Sequence, residues 1–185
     1  HYNGTGILTG AFEKCTIENI KTLANCSVEG TYNTGGIAGT GTGNISNCEN
    51  RAMVNGTNNV GGIVGNSSDN TISSCANYGA VTGTESNVGG MVGFFISGTI
   101  QNCANYGDIS GADCVGNQIG YASICNLNNV LGIGNVTATS SQSGLLAGVI
   151  WDSSSTAAGI LAYNSSAKLT INGIEQTGDA VKAIG

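Results

Sequence analysis

Proline is absent from the 185 residues, and only 9% of the side chains are charged. Without proline every peptide keeps its donor, which suits a backbone hydrogen-bonded nearly everywhere. Low charge combined with 40% hydrophobic residues also excludes a disordered composition. The cations are Lys14, Lys21, Arg51, Lys168 and Lys182, and the net charge is -6. So acidic a chain offers no basic track for a phosphate backbone, and nucleic acid is not an expected partner.

Histidine occurs once, at His1. There is therefore no HExxH helix and no second histidine to serve a Ser or Cys nucleophile. Zinc would lack four convergent ligands, so neither a metal nor a cofactor is expected. The longest apolar run, Gly144 to Trp151, is far shorter than the roughly 20 residues a spanning helix needs, which argues against membrane insertion of this segment. The opening "HYNGTG" has neither the basic start nor the apolar run of a secretion signal. The pattern is already under way there, as expected for a piece of a larger parent chain with neighbouring domains. The length suits one domain with a real core.

What the chain has in quantity is glycine, 31 residues of it, and the glycines are periodic. The residue closing each "GGIVG"-like box falls at Gly10, Gly39, Gly65, Gly93, Gly120 and Gly148, a repeat of 26 to 29 residues. An Ile and a Cys three residues on follow the central boxes: Ile45 and Cys48, Ile72 and Cys75, Ile100 and Cys103. Then come Asn50, Asn77 and Asn105, and an aliphatic residue at Val54, Val81 and Ile109. Each period thus holds three short alternating apolar segments, too short and too glycine-rich for helices. Three strands per coil and about six stacked coils, each about 4.8 Å high, predict an all-β, right-handed parallel β-solenoid. A doubly wound α/β fold would need helical crossovers, and none is legible. The glycines and asparagines are read as corner residues, at positions of positive φ or where a side chain bonds its own backbone. Repeats are expected over residues 1–151, clearest over 35–111. Residues 152–185 are expected to form an irregular β cap on the open end.

The boxes "GGIAG", "GGIVG" and "GGMVG", followed by "NISNC", "TISSC" or "TIQNC" and then by "NYGAVTG" or "NYGDISG", resemble the GLUG motif repeats of bacterial surface proteins. Such repeats occur in secreted or wall-attached proteins, including adhesin-like proteins and non-catalytic parts of immunoglobulin A peptidases. The resemblance implies an extracellular or cell-surface bacterial setting and a partner such as a host glycan or protein surface. It transfers no catalytic residue.

Seven cysteines invite redox or metal readings, but none belongs to a CxxC pair. Cys26, Cys48, Cys75, Cys103 and Cys125 recur with the coil and are expected to stack as a buried ladder of free thiols, too far apart for a relaxed disulfide. Cys15 and Cys114 fall off that ladder, and either could pair with another cysteine. Solenoid enzymes acting on polysaccharides cluster carboxylates on one face. Here Asp69, Asp108, Asp113 and Asp152 are scattered among turns and read as solvated turn acids. The expectation is a non-catalytic stalk, spacer or adhesin-like module; the alternative is a carbohydrate-active enzyme or a lectin-like glycan-binding domain.

One departure from the repeat stands out. After the box, earlier coils place Thr40 to Thr42 and Asn66 to Ser68, whereas later ones place Phe94, Phe95 and Ile96, then Tyr121, then Trp151. In register these would form an apolar stripe, either covered by residues 152–185 or exposed as a platform for a sugar ring or partner surface. The solubility cost favours cover, so Trp151 and at least one of Phe94 and Phe95 are expected to be buried beneath that tail. Tyr78 and Tyr106 should stack at another corner.

Overall fold

A computed structural model describes residues 3–152, 154–158 and 168–177. They form a parallel β-solenoid of about five turns, with no helix among the described residues. One turn runs through Asn58–Gly61, Val64–Ser67, Asn70–Ser73, Ala76–Asn77 and Val81–Gly83. The next begins at Ser86–Gly89, which pairs in parallel with Asn58–Gly61, Val88 opposite Val60 and Gly89 opposite Gly61.

The three turns from Asn58 to Ala138 each carry five short extended segments, where the sequence reads three. Two local bends account for the difference. The glycine box spans a corner, so Gly61 ends one strand and Val64 starts another. The Asn77 amide donates to the Gly79 carbonyl at 2.8 Å, closing a local turn that separates Ala76–Asn77 from Val81–Gly83.

Stacking places like on like. Ile17, Ile45, Ile72, Ile100 and Leu127 form one column, and Val28, Val54, Val81, Ile109, Val136 and Leu169 another. All are buried, because alternate residues of a strand face the interior. They belong to two separate apolar clusters.

A further column consists of fully buried amides. Asn50 donates to the Asn77 oxygen at 2.8 Å, Asn77 to Asn105 at 2.7 Å, and Asn105 to Asn117 at 2.9 Å. Thr22 starts the chain by donating to Asn50 at 2.6 Å. A buried amide is tolerated only when its hydrogen bonds are made, and stacking supplies them level by level. Opposite each amide stands the second glycine of a box: a Cβ on Gly36, Gly62 or Gly90 would overlap the amide of Asn50, Asn77 or Asn105.

This corrects the reading of the box glycines. Gly62 and Gly90 do not hold positive φ; they leave room for an amide and for the carbonyl of the next level. The left-handed positions go chiefly to asparagine: Asn33, Asn59 and Asn87 at one corner, and Asn19, Asn47, Asn102 and Asn129 at another, where Ser74 completes the set. Asparagine tolerates that region better than most side chains do.

Beyond Trp151, Thr156–Ala158 and Leu169–Ile171 continue the parallel stack on Asn126–Asn128 and Val136–Ala138. The chain then reverses at Asn172 and Gly173, and Ile174–Glu175 pairs antiparallel with Leu169–Ile171. The remainder of the cap expected over 152–185 lies outside the described residues.

Candidate functional site

Counting from the positive-φ residues locates the thiol column. Asn19, Asn47, Ser74, Asn102 and Asn129 immediately precede Ile20, Cys48, Cys75, Cys103 and Val130. The column thus holds three cysteines between an isoleucine and a valine, not five cysteines. Cys26 is exposed, in a turn before Ser27–Glu29, because Ile20 takes the position it was expected to fill. Cys125 is buried in the same core but lies just before Asn126–Asn128, out of line with Cys103. All seven cysteines are free thiols, with Cys15 exposed and Cys114 buried.

The thiols of Cys48, Cys75 and Cys103 lie 3.2, 3.2 and 3.1 Å from the carbonyls two residues before them. Contact with Cys75 and burial push the Cys48 pKa up. Contact with Cys103 pushes Cys75 up to about 12. At Cys103, bonds from Cys75 and from backbone amides lower it, against burial. Burial, then the Asp113 carboxylate, pushes Cys114 up to about 12. Buried thiols held protonated in this way, as at Cys48, Cys75 and Cys114, are poor nucleophiles.

Asp69, Asp108 and Asp152 lie between strands, whereas Asp113 opens the strand Asp113–Gly116 and is half-buried rather than the solvated turn acid expected. Asp108 accepts from the Asn135 backbone nitrogen at 2.8 Å and from its side-chain amide at 3.1 Å. Asp69 bonds to the Ser97 hydroxyl. Asp152 accepts from the Ser154 backbone at 2.7 Å, which lowers its pKa. Asp113 is half-buried beside Cys114.

The expected apolar stripe divides into three parts, as a strand's alternation requires. Phe94 pairs with Tyr121, and Tyr121 with Val149, facing outward. The Phe94 and Tyr121 rings stack with centroids 5.2 Å apart. Phe95 points inward and is fully buried within the core. Ile96 and Trp151 face outward again, 43% and 76% exposed. Trp151 is thus not buried beneath the described C-terminal residues.

A second outward ridge lies on another corner. Tyr78 and Tyr106 stack with centroids 4.6 Å apart, and the Arg51 guanidinium caps the Tyr78 ring at 4.8 Å. Arg51 also pairs with Glu49, which Lys21 approaches at 3.3 Å. Burial opposes ionisation of Glu49, but these two cations lower its pKa.

Sequence reasoning missed a groove of about 350 Å³ near the N-terminal end, which Phe12, Thr40, Asn66, Ser68 and Ile96 help to line. Thr40, Asn66 and Phe94 share one register position, so part of it was visible as the polar start of the stripe. Phe12 was not singled out, although it stands opposite Gly41 in register; the register slips only beyond it, before Cys15.

Fold and surface together define a repeat protein whose interior is spent on stacking and whose outward positions differ from level to level. Compared with known proteins, the chain matches no family model, no curated protein and no solved structure.

Proposed function

We propose that the chain is a non-catalytic repeat module of a bacterial surface or secreted protein, acting as a stalk or spacer with an adhesin-like contact surface. The observation that carries this reading is the division of labour within each turn. Interior positions repeat Ile, Val, Cys and Asn in register, whereas one outward position runs Thr40, Asn66, Phe94, Tyr121 and Val149. Such a column keeps its interior constant and varies its surface, as a solenoid that presents contacts does. The extracellular bacterial setting rests on the likeness of the boxes to GLUG motif repeats. Host glycans or protein surfaces are the partners this reading implies, together with neighbouring domains of a parent chain.

The alternative, a carbohydrate-active enzyme or lectin-like domain, shares the same surface. A glycan array combined with a hydrolase screen separates the two. Binding without turnover supports the module, and turnover abolished by an Asp or Glu substitution would replace it with the enzyme.

A further inference from the structure

We infer that the groove between Phe12 and Ile96 is a cleft for a neutral oligosaccharide. The inference rests on the adhesive reading above and names its ligand class.

The groove follows from register. Phe12 pairs with Gly41, and at the outward position beside them Thr40 and Asn66 stand where the next level carries Phe94. A Cβ on Gly41 would overlap the Phe12 ring. The space left at those levels is about 350 Å³, within the range of small-molecule sites.

Its lining combines two kinds of group. Asn3, Asn33 and Asn66 supply amides, Thr40, Thr42 and Ser68 supply hydroxyls, and Phe12 and Ile96 supply apolar walls. A pyranose presents the matching pair, a rim of hydroxyls around C–H faces. The only ionisable lining residue is Glu13, so an anionic ligand would meet repulsion and no cation.

Some of this polarity is already engaged. Asn33 donates to the Asn3 carbonyl at 2.9 Å, the Thr42 hydroxyl accepts from Lys14 at 3.2 Å, and Ser68 reaches Asp69 at 3.4 Å. Asn66 holds none of these bonds and stands half-buried at the groove. The level after Asn66 carries Phe94, whose ring is stacked on Tyr121. A saccharide leaving the groove along the solenoid axis would therefore pass onto aromatic edges.

The test is an NMR titration of the whole chain with maltotriose, cellotriose and chitotriose as neutral probes and trigalacturonate as the charged one. The expected result is saturable binding of at least one neutral probe and none of trigalacturonate. Asn66→Ala should weaken that binding at least fivefold, Ser68→Trp should plug the groove, and Tyr78→Ala on the other ridge should change nothing. Unaltered melting temperatures check that the variants fold. Absence of binding by every neutral probe, or equal binding by both groove variants, overturns the inference. Binding lost only in Tyr78→Ala also overturns it, while leaving the adhesive module standing. Cleavage of a probe in the groove would instead overturn the module and keep the cleft.

Discussion

Asn117 and Gly132 exchange the places that glycine and asparagine hold on the preceding levels. There the box contributes Gly62 or Gly90 and the facing strand contributes Asn77 or Asn105; here the box contributes Asn117, and Gly132 pairs with Asn105. A Cβ on Gly132 would overlap the Asn117 side chain. From the opposite wall Asn117 still accepts from Asn105 and still donates to Gly134, as Asn105 donates to Gly107.

The exchange makes a double-mutant cycle decisive. Asn117→Gly should cost about 1–3 kcal/mol by leaving buried partners unsatisfied. Gly132→Asn alone should cost about the same or more through overlap. The double variant restores the pattern of the preceding levels and should recover most of the loss in urea denaturation. Simple additivity of the two losses would show that the amide column is not the coupled unit described here.

Space and φ are separable by substitution. Gly62→Ala and Gly90→Ala should each destabilise by more than about 1 kcal/mol, because the new methyl meets a buried amide and a carbonyl. Asn47, exposed at φ 52°, should accept glycine almost neutrally and lose about 1–2 kcal/mol on change to valine. Chemical denaturation reads both, and tolerance of alanine at both box sites would refute the steric account.

Thiol chemistry should divide the cysteines by burial. In the native protein an Ellman assay should react rapidly with Cys15 and Cys26 and slowly with the other five, all seven reacting after denaturation without reductant. Cys75→Ser should cost about 1–3 kcal/mol. Fast native reaction at Cys75, mapped by mass spectrometry, would contradict the burial.

Stability should fall at alkaline pH. Cys75 and Cys114 are pushed from an ordinary 9.0 up to about 12, so on folding each holds its proton more tightly than in the unfolded chain. Their contribution is complete below about pH 9 and is lost as pH rises from there towards 12, where the unfolded thiol ionises first. Unfolding midpoints in wild type and in Cys114→Ala should diverge below that window and converge within it. A constant difference across the window would exclude the thiol as the cause.

Trp151, at 76% exposure, should emit as a solvated indole and be quenched readily by acrylamide. A blue, protected emission would mean that the C-terminal segment covers it in solution.

The solenoid was legible because period and alternation are written in residue type: glycines every 26 to 29 residues, and apolar residues at every second position of short runs. Other features depended on geometry that residue type does not express. Asn59 and Gly62 look alike as corner formers, yet the first supplies φ and the second supplies space. Cys26 and Cys125 were assigned by nearness to the period, whereas their offsets from Ile17 and Leu127 point to Ile20 and Val130. Of the candidate surface, the Phe94 and Tyr121 pair followed from the repeat, while the groove needed the Phe12 ring to lie over Gly41 of the next level, a contact that residue type alone does not express.

Because the described parallel strands bond to the levels before and after them, tension applied along the axis loads each level's hydrogen bonds directly. The weakest end level yields first and releases one period of chain, about 90 Å at full extension. A rod of this kind would lengthen under load in discrete increments, one turn at a time, and shorten again by re-laying strands on the remaining stack as a template.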